Sequence, residues 1–112
     1  MEVLDRDFLL SNVDGDQELL KEIVGLFVES SGEILQSIRD AVTSANYDAL
    51  DRSAHQLKGA LANLGAQAAA AAATELENLG RRGMLTGLED AMGALDREME
   101  RLAPELLDLV SN

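Results

Sequence analysis

Eight apolar residues near the C-terminus recur with a period that only a helix can use: Leu85, Leu88, Met92, Leu95, Met99, Leu102, Leu106 and Leu109. Alternating steps of three and four place them on one stripe, the seam of a bundle or coiled coil. Such a stripe must be buried against other helices, and the rest of the chain supplies them. Leu20, Ile23, Val24, Phe27, Ile34, Ile38, Ala41 and Val42 recur at helical spacing, and Leu50, Ala54, Leu57, Leu61 and Leu64 follow at steps of four, three, four and three. No strand-like alternation or hairpin signal competes. Aromatics are only 3% of the residues, so the core is built from Leu, Ile, Val, Met and Ala. That composition favours helices over strands.

The punctuation predicts the element boundaries. A first segment from Asp5 to Val13 could form a short N-terminal helix burying Phe8, Leu9 and Val13, and Asp14-Gly15-Asp16 breaks it. Asp16 is a plausible N-cap for a helix running to about Ser44, which Ser30-Ser31-Gly32 could bend. Asn46 caps a third helix from Tyr47 to Leu64, and Gly65 stops it. A fourth runs from Gln67 to about Leu79 and opens with six consecutive alanines. Helix propensity alone explains that run; close packing against the preceding helix would be a second reason. Gly80-Arg81-Arg82-Gly83 is expected to be a loop, and Pro104 should kink or restart the last helix. Short connections make neighbouring helices antiparallel. The expected fold is all-α: an antiparallel four-helix bundle with an additional short N-terminal helix, residues 1–112 forming one domain.

Charge and composition exclude several functions. A net charge of -12 repels nucleic acid and anionic lipid. Without cysteine there is no disulfide framework and no thiolate metal site. No apolar run has the length of a membrane span, and the first residues lack the pattern of a signal peptide. A cytoplasmic location is expected, with no membrane contact by this domain.

The single histidine, His55, carries the chemical interest. On a helical wheel it lies roughly 140° from the leucine face of its helix, on the water side. Gly59 and Ala62 lie within about 40° of it, and Lys58 and Arg52 flank it at about 60° on either side. A glycine inside a helix costs up to about 1 kcal/mol against alanine. Here its use is access: it clears space beside an imidazole that something large must reach. A lone surface histidine is ordinarily just a solvated side chain, but the low floor and the two cations suit one that carries an anion such as a phosphoryl group. Other chemistries lack residues. A Ser–His–Asp triad needs an enclosed site and an oxyanion hole. A Glu-x-x-His metal pair would need a glutamate at position 52, where Arg52 stands. No phosphate-cradling glycine loop is present.

The stretch Ala54-His55-Gln56-Leu57-Lys58-Gly59-Ala60, with Asn63-Leu64-Gly65-Ala66 behind it, resembles the histidine-containing phosphotransfer (HPt) family of two-component phosphorelays. Leu76-Glu77-Asn78-Leu79-Gly80-Arg81, Leu26-Phe27 and Asp48-Ala49-Leu50 extend the likeness over most of residues 16–85. The resemblance implies a helical bundle that takes a phosphoryl group on the imidazole Nε2 from a receiver-domain aspartate and passes it to another receiver. It implies His55 as the phosphoryl carrier, Lys58 as electrostatic helper and Gly59 as the clearance residue. The implied partners are response-regulator receiver domains, with a hybrid sensor kinase as a candidate host in cis. No cofactor is expected in this chain, Mg²⁺ being expected on the receiver, and a monomer is the default. Two other functions stay open at this point: the phosphoacceptor domain of a chemotaxis-type kinase, and a helical adaptor without covalent chemistry.

Lacking a nucleotide-binding motif, the isolated chain is expected neither to hydrolyse ATP nor to label itself. Incubation of kinase-free protein with γ-labelled ATP checks this; the expected incorporation is none.

Overall fold

A computed structural model describes residues 2–84 and 86–111. Among them are five helices and no strand: α1 (Arg6–Asn12), α2 (Gln17–Ser44), α3 (Tyr47–Leu64), α4 (Gln67–Arg82) and α5 (Leu88–Val110). Contacts of α2 with α3, α3 with α4, α4 with α5 and α5 with α2 close a ring of four, so the α3–α4 seam lies opposite the α2–α5 seam. The expected four-helix bundle with a short leading helix is the fold. Leu85, expected to open the last seam, lies outside the described residues.

Local chemistry explains the helix starts. Asp5, Asp16 and Asn46 each turn a side-chain oxygen onto backbone N–H groups of the first turn, as an N-cap must. The interior is aliphatic. Leu20, Ile38, Leu50, Leu57, Leu61, Leu76, Leu95 and Leu102 are essentially inaccessible to water. The stripes read from the sequence are therefore the core, with Ile23, Val42, Met92, Met99 and Leu109 only half-buried at its edges.

Two expectations need correction. Phe8 is 42% exposed, because Leu9 of α1 and the C-cap residue Val13 fill the inward side and leave Phe8 to one side. Its ring rests near Gly65, the left-handed C-cap of α3 (φ +83), where an added Cβ would stand 3.0 Å from both the ring and the Asp5 carbonyl. The Asp5 N–H donates to the Gly65 carbonyl at 2.9 Å, pinning α1 to the end of α3.

Gly80-Arg81-Arg82 is not a loop. Instead α4 continues to Arg82 and stops at Gly83 in the left-handed region. Gly80 is buried against α3, where an added Cβ would lie 2.9 Å from the Asp51 nitrogen and 3.1 Å from the Tyr47 carbonyl oxygen. The glycine is there because two backbones meet. Of the two outcomes expected at Pro104, a restart does not occur: α5 passes through it without ending. Pro104 and Glu100, whose carbonyl loses its helical partner, are both on the exposed side, where water can serve that carbonyl.

The Gly80 contact gives a clear expectation. Gly80→Ala should lower stability by about 1–2 kcal/mol despite its better helix propensity, since backbone must move to admit the methyl. That corresponds to a drop in melting temperature of roughly 4–8 °C per kcal/mol. Gly32→Ala, where an added Cβ meets nothing within 4 Å, should raise it. Thermal melts of the two variants check the contrast.

Candidate functional site

The site sits on the α3–α4 seam, where small residues bring the two helices close. Ala69 and Ala73 of the alanine run are buried, and Gly80 meets the α3 backbone at Asp51 and Tyr47, about one and two turns before His55. This approach sets residues of α4 directly beside the His55 side of α3. The ring of His55 is 66% exposed, as the helical wheel required. Gly59 and Ala62 are exposed beside it, and an added Cβ at Gly59 meets nothing within 4 Å. Packing therefore does not require this glycine, unlike Gly80.

Beneath the imidazole lies a residue to which the sequence analysis gave no role. Glu77 of α4 has a side chain only 3% exposed, and it is the one buried charge among the described residues. One carboxylate oxygen, Oε2, is 2.5 Å from His55 Nδ1. The other, Oε1, accepts from Lys58 Nζ at 2.9 Å. Arg81, one turn along α4, comes to 3.3 Å from Glu77 Oε2 and 3.5 Å from Asp51 Oδ1. So His55, Lys58 and Arg81 converge on one carboxylate. The structure brings Lys58 close to His55 through that carboxylate, while Arg52 stays exposed outside the cluster. Arg81, which the sequence placed in a loop, is the second cation.

The signal for Glu77 was visible in kind: an acidic residue between Leu76 and the Leu79-Gly80 pair, on a helix face otherwise made of alanine and leucine. A buried carboxylate needs charged or hydrogen-bonding partners. Lys58 and His55 supply them from α3, but which α3 residues lie opposite depends on helix register, which the sequence does not print.

Chemically, the cluster fixes the imidazole by one edge. A carboxylate only accepts, so the proton of a neutral ring belongs on Nδ1, donated to Glu77. The opposite nitrogen, Nε2, then carries the lone pair on the exposed edge. An apolar cleft of about 330 Å³ between α2 and α5, lined in part by Phe27, Leu102 and Leu106, lies on the opposite seam and takes no part.

Glu77 is held below the usual carboxylate range. The Lys58 hydrogen bond is the main cause, aided by the His55 bond and opposed by burial. A carboxyl whose folded value is depressed stabilises the fold fully above its unfolded value, near 4.5. That contribution is lost as pH falls through the lower folded value. Glu77→Gln should therefore be less stable than wild type at neutral pH, with the gap closing as the solution is acidified below about pH 4. Urea unfolding of both proteins across that range measures it.

With this geometry in hand, comparison with known proteins is direct. The model of the Hpt domain family matches residues 22–105. A solved structure, histidine-containing phosphotransfer protein B (HptB) from Pseudomonas aeruginosa PAO1, superposes with a TM-score of 0.91 at 28% identity, covering 97% of this chain and 95% of that one. No curated protein sequence matches the chain. No helix among the described residues is long and apolar enough to cross a membrane. A buried glutamate gripping one edge of an outward-facing histidine, inside a bundle of this shape and sequence, leads to one conclusion: the chain belongs to the Hpt domain family, whose members serve histidine phosphotransfer in phosphorelays.

Proposed function

We propose that His55 is the phosphoryl carrier, accepting on Nε2 from the aspartyl phosphate of one receiver domain and donating to the aspartate of another. The observation that carries this reading is the 2.5 Å contact between Nδ1 and Glu77 under a ring that is 66% exposed. One nitrogen is held and the other is offered. In the accepting step the Nε2 lone pair attacks phosphorus, the bond to the aspartyl oxygen breaks, and the receiver's carboxylate leaves with that electron pair. The ring keeps its Nδ1 proton and becomes a cation beside Glu77. Such a transfer is largely positioning and charge stabilisation. The receiver would bring the aspartate and its Mg²⁺, and this chain needs no metal of its own.

Gly59 fits as the clearance residue. The aspartate of a receiver must come within about 3–3.5 Å of the reacting nitrogen, and the open space over Gly59 leaves room for its approach. Lys58 lies on the same side, its side chain 32% exposed, so its charge is felt by an incoming phosphoryl group as well as by Glu77. The acidic surface argues against nucleic acid and membrane as partners. A monomer working in the cytoplasm with receivers, either free-standing or carried by a hybrid sensor kinase, is the setting that suits the site.

Two outcomes follow. His55→Gln should abolish labelling by a phosphorylated receiver, and the wild-type label should be acid-labile and alkali-stable, as expected of a phosphoramidate. Label retained in His55→Gln would contradict the assignment. Gly59→Gln should melt at or above the wild-type temperature yet transfer poorly, because the added side chain stands beside the imidazole without touching the core. A melting curve beside a transfer assay separates these effects; a variant that transfers normally would refute the clearance role.

A further inference from the structure

We infer that Glu77 has a second task after the phosphoryl group has arrived: it keeps the proton on Nδ1 of phospho-His55 and so holds the ring in the form that gives the phosphoryl group away. This rests on the reading of His55 as the carrier. The reasoning begins with the leaving group. When the N–P bond breaks, its electron pair returns to Nε2. A ring protonated on Nδ1 then departs as neutral imidazole. A ring that has lost that proton must depart as imidazolate, a far poorer leaving group. In the donating step the receiver's carboxylate oxygen forms the new O–P bond, the N–P bond breaks, and no proton needs to move.

The geometry shows what would retain the proton. Oε2 of Glu77 stands 2.5 Å from Nδ1, and burial of Glu77 keeps water from competing well for that edge of the ring. The groups facing the pair come from both packed helices. Lys58 and Asp51 belong to α3, and Glu77 and Arg81 to α4. Arg52 stands outside them on the exposed side of α3. Lys58 and Arg81 oppose a cationic ring by their charge, yet they keep the carboxylate ionised and directed. With Glu77 ionised, the phosphorylated ring has an anion for its nearest neighbour. Lys58 thus acts on transfer partly through Glu77, as a positioning residue.

The test uses the full chain phosphorylated on His55 by a charged receiver, with ¹⁵N-labelled histidine. The pH at which Nδ1 loses its proton is read by NMR for wild type and for free Nε2-phosphohistidine. The bound ring should keep its proton to a pH at least about one unit higher, a tenfold change in the protonated fraction above the midpoint. Equal midpoints would overturn the inference, and this arm needs no variant. The second readout is transfer from purified phospho-protein to an unphosphorylated receiver. Glu77→Gln should transfer about tenfold more slowly near pH 8 and approach wild type near pH 5, where both rings are protonated. A deficit of the same size at both pH values would mean that Glu77 only positions the ring, and would also overturn the inference. If His55 takes no label at all, the carrier assignment itself fails, which is a separate outcome. Lys58→Ala, which leaves the carboxylate in place, should show a smaller deficit.

Discussion

Everything at this site depends on how closely α3 and α4 approach. Two helices lined with leucine on both sides would stand further apart. Here one side offers Ala69, Ala73 and Gly80, and the Gly80 position leaves no room even for a methyl group against the α3 backbone. The consequence is that a side chain as short as glutamate, rooted on α4, reaches under an imidazole rooted on α3. The alanine run therefore has a use beyond helix propensity.

Glu77 is placed at some cost. A carboxylate withdrawn from water must be compensated, and an uncompensated one would be strongly destabilising. Lys58 supplies the principal compensation, with His55 and Arg81 adding to it. The result is a buried anion whose charge is maintained, next to an exposed ring whose charge changes when it is phosphorylated. The chemistry of the ring is thereby tied to the packing of two helices. The domain can remain small and carry little apparatus, because the attacking and leaving groups, and the metal, come with its partner.

The fold was legible because the rules that shape it are local. Asp16, Asn46 and Gly65 marked the limits of α2 and α3 almost to the residue, and the leucine stripes named the core. The failures involve nonlocal facts. Gly80 looked like a stop because a glycine beside two arginines usually ends a helix, whereas here it admits a neighbouring backbone. Phe8 looked buried because it is large and apolar, but α1 is too short to turn more than Leu9 and Val13 inward. At the site, His55 and Gly59 were placed by periodicity within a single helix. The Glu77–Arg81 pair could not be, since it acts across a seam whose register is set by packing.

The central claim is that Glu77 holds one nitrogen of His55 and thereby offers the other. The most direct measurement is the tautomer of the neutral, unphosphorylated ring, read from ¹⁵N–¹H correlation of its two nitrogens in the intact chain above the imidazole titration. The account predicts the proton on Nδ1, lost to the ordinary preference for Nε2 when Glu77 is replaced by alanine. A wild-type ring that carries its proton on Nε2 would contradict it.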